Sequence, residues 1–230
     1  MPNHTSTIFR VMGTPKRLDE FIKKAKGDES IFSFNSFVPC PKELHEVSSP
    51  VYIISEDEYA AQETIKSLKI AEAKIAGKPL NEFAFTGCKK ITAKMEQELR
   101  DKFGFNNWYD WQCNNWGTKW DCYDVSEEWL RYGNPNDDMQ ENIQCHYQTA
   151  WSPATAALQS ISEQFPELSF YHAFADEGGG FLGYESIQDG EVLENVEVEW
   201  DSEAGEKLRV EVGQTTWEDI AQWKQEAEEA

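Results

Sequence analysis

The run Asp176-Glu177-Gly178-Gly179-Gly180 sets two carboxylates beside three glycines. Vicinal carboxylates are hard oxygen donors, so this is where the chain can hold a divalent cation or a small ligand, with His146 or His172 as a further donor or base. The spacing lacks the alternating oxygen ligands of a calcium loop. The glycines lack the Lys-Ser/Thr of a phosphate-binding loop and open no helix. Turn chemistry accounts for every residue type in the run, because glycine reaches positive φ without strain. A hairpin turn is therefore the expectation, and a small-ligand- or metal-dependent enzyme centred on the turn is the alternative. No Ser or Cys elbow accompanies the histidines. Cys145 and His146 are neighbours on an expected strand and so point to opposite faces, which makes them no ready dyad. Neither a catalytic set nor a cofactor is expected.

Two further patterns compete for function. Trp108 to Asp121 reads WYDWQCNNWGTKWD, with four tryptophans and no aliphatic side chain. Stacking on nucleic acid normally needs a basic groove, and here Lys119 is opposed by Asp110 and Asp121. The expected role of Trp108, Trp111, Trp116 and Trp120 is to roof a sheet, with a protein-binding hot spot as the alternative. The other pattern is charge. The chain of 230 residues carries a formal net charge of -21, and from Trp151 onward it has 19 acidic and 3 basic residues. Glu191, Glu194, Glu197, Glu199, Asp201, Glu203, Glu206 and Glu211 decorate this tail. Such a surface repels a phosphate backbone. It fits solubility, edge protection, or a basic protein partner.

The elements that must position these residues follow from periodicity and caps. TSTIFRVM predicts a strand ending at Gly13, and Thr14-Pro15 opens a helix with Leu18, Phe21, Ile22 and Ala25 on one face. Phe32 and Phe34 alternate with serines and predict a second strand, ended by prolines. Ser55 with Glu58 forms a capping box for a Lys-bearing helix, broken at Gly77 and Pro79, and Thr92 to Lys102 predicts another. Asn106 or Asn107 caps a short helix closed by Gly117, after which Trp120 and Cys122 turn strand-like. SEEWLRYGNPNDDMQEN reads as short helical or irregular, with a turn at Gly133-Asn134-Pro135. IQCHYQTA is a strand, and Trp151-Ser152-Pro153 supplies N′, N-cap and N1 of a helix burying Ala157, Leu158, Ile161 and Phe165. LSFYHAFA and FLGYESI pair across the glycine turn. VLENVEVEW and KLRVEV are expected to form a hairpin around DSEAGE. Thr215 with Glu218 caps a last helix carrying Trp217, Ile220 and Trp223.

Together these predict an α+β fold: an antiparallel sheet with helices on one face, as in split βαβ units, with a helical insertion and a C-terminal hairpin plus helix. The divisions are 1–54 and 105–190 for the core, 55–104 for the insertion and 191–230 for the acidic hairpin and helix. The five cysteines are odd in number and lack a CxxC spacing, so free thiols in a reducing cytosol are expected. The start has no signal-peptide pattern, and no stretch approaches membrane-spanning length. The expected place is therefore the cytoplasm.

MPNH with a following strand, FNSFVPCPKEL, WYDWQCNNWGTKWD, TAWSPA and YHAFADEGGGFLGY occur in that order. The chain thereby resembles the phage- and plasmid-encoded family with the YubB-type ferredoxin-like domain, over its first 40 or so residues and about Phe105 to Tyr184. The resemblance implies a ferredoxin-like αβ core without an iron–sulfur cluster, and a setting on mobile elements inside a bacterial host cell. The acidic tail lies outside its most recognisable segments. The resulting expectation is a non-enzymatic interaction protein that binds a basic surface on a host protein, a nucleic-acid-handling or anti-phage defence component, as an inhibitor or nucleic-acid mimic. Its contact residues are expected among Glu194, Glu197, Glu199, Asp201, Glu203, Trp108, Trp111, Trp116, Asp176 and Glu177.

Overall fold

The computed structural model describes residues 3–77, 89–133 and 140–229. In chain order the elements are β1 (His4–Gly13), α1 (Pro15–Ala25), α2 (Lys42–His45), α3 (Glu56–Ile75), α4 (Ala93–Phe103), α5 (Trp108–Trp116), β2 (Leu130–Tyr132), β3 (Glu141–Ala150), α6 (Thr155–Glu163), β4 (Ser169–Asp176), β5 (Leu182–Gln188), β6 (Glu191–Glu197), α7 (Glu203–Glu211) and α8 (Trp217–Glu229). The chain divides into two compact units, residues 1–39 with 113–230, and residues 40–112.

The first unit is built on a sheet of order β2-β3-β1-β4-β5-β6, antiparallel throughout. β1 lies between β3 and β4 and runs opposite to both, so β3, α6 and β4 form a split βαβ unit. The antiparallel α+β class expected from the sequence is the one observed. Register puts Phe9 between Cys145 and His172, and Val11 between Ile143 and Phe170. On this face Phe9 packs against Phe32 at 5.1 Å and Phe170 at 6.1 Å between ring centroids. Leu18, Phe21 and Ala25 of α1 are buried, as are Ala157, Leu158 and Ile161 of α6. Large rings carry this core because each removes a large apolar area from water.

Helices cover both faces of the sheet, which corrects the one-face expectation. Ile8, Ala173, Ala175 and Leu182 point to the opposite face and bury Leu208 of α7 and Val212 at its C-cap. The segment KLRVEV lies in that helix and is no strand. Its apolar residues alternate, but Leu208 and Val212 are also four apart, and the Ser202 hydroxyl caps the helix by accepting from Gly205 N–H at 2.9 Å. The C-terminal hairpin instead joins β5 to β6, which ends the main sheet.

Other boundaries move for local reasons. Phe34–Ser36 is a turn of 3-10 helix and does not enter the sheet. β2, at Leu130–Tyr132, falls in the segment read as irregular. Around Trp120 only a bridge between Tyr123 and Gln148 forms. α6 starts at Thr155, two residues after Pro153, with Ala154 as its N-cap, and Trp151 before it takes a positive φ of 75°. The last helix is capped by Thr216 with Asp219, one residue later than expected: Asp219 N–H donates to the Thr216 hydroxyl at 3.2 Å, and Thr216 N–H donates back to the carboxylate at 3.0 Å. The Asn107 cap of α5 holds, with Asp110 N–H donating to Oδ1 at 3.0 Å. Of the turn expected at Gly133-Asn134-Pro135 only Gly133, with a φ of 134°, is described, and Asn134, Pro135 and Pro79 lie outside the described residues.

The second unit, residues 40–112, spans the segment 55–104 that the sequence reads as a helical insertion. Ser55 and Glu58 form the capping box of α3. Ser48 and Lys89 and then Ile54 and Ile91 are joined by backbone hydrogen bonds of 3.0 and 2.9 Å. α3 buries only Ala73, while Ile65, Leu68 and Ile75 are exposed, so it covers less core than its spacing suggests.

Candidate functional site

The turn after β4 is fastened by its own first carboxylate. Asp176 is 5% exposed and its Oδ2 accepts from Gly180 N–H at 2.9 Å. Glu177 N–H donates to the His4 carbonyl at 2.9 Å, and Gly179 takes the positive φ of 75° that closes the turn. Asp176 therefore acts inside the turn, whereas Glu177 is exposed beside it. The Asp176 carbonyl also accepts from Gln214 Nε2 at 2.8 Å, which ties the turn to the link between α7 and α8.

That tie forms one wall of a groove of about 580 Å³, lined by Glu177, Trp200, Asp201, Glu206, Arg209 and Gln214 together with Thr215 and with Ile220, Trp223 and Lys224 of α8. The Arg209 guanidinium lies over the Trp200 ring at 5.0 Å and the Trp223 ring at 5.9 Å. Lys224 Nζ pairs with Glu206 at 2.8 Å. A second depression of about 440 Å³ shares Trp200 and is lined by Gly179, Gly180, Phe181, Glu197 and Glu199 among others. Trp200 is thus the partition between two hollows, and the glycine turn and the acidic tail meet at it.

The expected contact residues separate accordingly. Glu177, Glu197, Glu199 and Asp201 come together around Trp200. Glu194 is exposed on the β6 edge opposite Ser186, and Glu203 pairs with Lys207 at 2.6 Å in the first turn of α7. Neither lines either of these two hollows, nor do Trp108, Trp111 and Trp116. Trp116 is 2% exposed and donates from Nε1 to the Val38 carbonyl at 2.9 Å. Trp111 is buried too, so burial removes both from any recognition surface, and Trp108 is half-buried. Sequence reasoning missed Trp200, Arg209 and Gln214 as site residues. The available signal was that Arg209 is one of only three cations after residue 150.

Gly205 positions Trp200. A Cβ there would lie 2.2 Å from the Glu199 carbonyl oxygen and 2.6 Å from that of Trp200. Gly205→Ala must push α7 off the chain that carries Trp200, and we expect a loss of about 1–3 kcal/mol. Urea unfolding checks it: the midpoint should fall with an unchanged slope.

The histidines play structural parts. His172 is fully buried on the α6 face, and its Nε2 lies 2.7 Å from Glu185 Oε2. His146 faces the other side, as the alternation predicts, and burial lowers its pKa. Burial pushes the Cys122 and Cys145 thiols up, the direction of inert thiols. Cys40, Cys113, Cys122 and Cys145 form no disulfide among the described residues, and Cys88 lies outside them. Among the described residues no group of three His, Cys, Asp or Glu converges as metal ligands, and no helix is long and apolar enough to cross a membrane.

Sequence comparison then places the acidic part of the chain. Residues 128–226 match the family model described as the ferredoxin-like domain in Api92-like protein. The match runs from β2 into α8 and includes the residues of the Trp200 site. Residues 1–127, β1 included, lie outside the match. No curated protein matches the chain. Among solved structures, the crystal structure of a protein Api92 from Yersinia pseudotuberculosis is similar at 11% identity and a TM-score of 0.43, over 86% of this chain and 98% of that one.

Proposed function

We propose that this chain is a non-enzymatic interaction protein of a phage or other mobile element, acting in the cytoplasm of a bacterial host cell. It presents the carboxylates around Trp200 to a basic surface on a host protein, a nucleic-acid-handling or defence component. The mobile-element setting rests on the resemblance to the YubB-type family. The observation that carries the binding reading is the convergence of Glu177, Glu197, Glu199 and Asp201 on one indole flanked by two hollows. An aromatic anchor ringed by charge is hot-spot chemistry, with the carboxylates steering encounter and the indole supplying contact area. Direct binding to nucleic acid is opposed by the net charge of -21.

The test reverses the charge. The variant Glu197→Lys/Glu199→Lys/Asp201→Lys substitutes exposed positions and should keep the wild-type circular dichroism and unfolding midpoint. Proteins captured by wild type from bacterial lysate should be lost by the variant, and association of an identified partner should slow about tenfold or more, more so at low salt. An unchanged set of captured proteins would sink the proposal.

A further inference from the structure

We infer that the groove between Trp200 and Trp223 receives the C-terminal carboxylate of a peptide whose last residue is basic. This rests on the binding reading above and names the chemistry of the partner segment. Arg209 is 8% exposed, and its Nε is buried without a hydrogen-bond partner. Of the cations after residue 150, Lys207 and Lys224 are each paired with a glutamate, whereas Arg209 has no ion pair among the described residues. That is unexpected in a segment with 19 acidic residues, since a buried guanidinium is costly unless its donors are used.

The surroundings state which group would use them. The guanidinium carbon lies over the Trp200 ring at 5.0 Å and the Trp223 ring at 5.9 Å, and neither indole offers it an acceptor, so its N–H donors remain for a group that enters the groove. An edge of parallel N–H donors matches a carboxylate. Gln214 adds a complementary group: its Nε2 is spent on Asp176, while its Oε1 is buried and unpartnered in the same groove. That oxygen can accept a peptide N–H. Glu177 and Asp201, which line the same groove, suit a lysine or arginine side chain next to the bound anion. Donor edge, amide acceptor and carboxylates together correspond to the terminal –NH–CHR–COO⁻ of a peptide with a basic R. A volume of about 580 Å³ lies in the range of ligand pockets.

The probe is a short peptide ending in Ser-Lys-Lys, labelled at its N-terminus and followed by fluorescence polarisation, with a free carboxylate or a C-terminal amide. The free acid should bind wild type at least tenfold more tightly than the amide. In Arg209→Lys, which keeps the charge and loses the planar fork, that preference should disappear while both peptides still bind weakly. The acid–amide comparison on wild type needs no variant to fold. Equal binding of acid and amide, or no binding of either, overturns the inference. The charge-reversal capture judges the broader reading separately. Competition by inorganic phosphate at the affinity of the peptide would make this a general anion site, and competition by free lysine at that affinity would remove the peptide assignment. Both would overturn the inference as stated.

Discussion

Replacing His172 with alanine should cost about 3–5 kcal/mol at neutral pH, one of the largest single-residue penalties in the molecule. His172 is 0% and Glu185 4% exposed, and they face each other across β4 and β5. Glu185 Oε2 also accepts from Thr155 Oγ1 at 2.8 Å, and Oε1 from Asn195 Nδ2 at 3.0 Å, so the carboxylate links α6, β4, β5 and β6. Burial pushes the Glu185 carboxyl up. The hydrogen bond and charge of His172, with the Thr155 hydroxyl, outweigh that, and the group ends below its ordinary value. A lowered folded-state pKa contributes stability above the unfolded value, near 4.3, and that stability is lost as pH falls through the folded value. Without His172 the burial effect is left in charge and the sign reverses: the folded state then favours the protonated carboxyl. The penalty of His172→Ala should therefore be greatest at pH 7 and shrink toward pH 4. Guanidinium unfolding at both pH values measures it, and His172→Gln, which restores a donor, should recover part of the loss. A penalty equal at both pH values would mean that lost packing alone is responsible.

What could be read in advance follows from where each segment finds its partners. β1, β3, β4 and β5 bury one or both faces against neighbours, so their alternation survives in the sequence, down to the opposite directions of Cys145 and His146. The caps of α3 and α5 were legible because a cap is settled by residues three apart. β2 has three residues, all exposed, and offers no periodic signal. KLRVEV fits period 2 and the i, i+4 pair Leu208–Val212 equally, and only the floor of Ile8, Ala173 and Ala175 decides between them. The site divides in the same way. Its carboxylates stand out as composition, whereas the approach of Arg209 to indoles from a loop and from α8 is a tertiary event. Position alone could not separate Asp176, spent on its turn, from its neighbour Glu177.

The misread strand at Phe32–Phe34 leads to the second large effect, Asp121→Ala. A segment outside the sheet has no ladder for its backbone amides, and buried amides without partners are costly. Asp121 supplies the partners. Its carboxylate accepts from Phe34 N–H at 2.7 Å, Ser33 Oγ at 2.5 Å, Asn35 N–H at 3.3 Å and Cys122 N–H at 2.8 Å. Phe34 is fully buried and packs on Phe32 at 5.4 Å and Trp116 at 6.2 Å, so its amide has no route to water without moving those rings. Other polar groups near the end of the tryptophan-rich run do similar work: Thr118 Oγ1 donates to the Ala150 carbonyl at 2.9 Å, and the Gly117 carbonyl accepts from Ser152 Oγ at 2.5 Å. The run is polar because it substitutes for a missing strand, hydrogen-bonding irregular chain on both sides of it while its rings fill space. Asp121→Ala leaves a buried donor unsatisfied and removes charge-assisted bonds, which together cost on the order of 3 kcal/mol. Asp121→Asn keeps one accepting oxygen and should cost about half as much. Urea unfolding reads the total, and amide hydrogen exchange locates it, since Phe34 should exchange faster while the amides of β1 keep their protection. A midpoint within error of wild type with unchanged exchange at Phe34 would show that this carboxylate does not hold the segment in place.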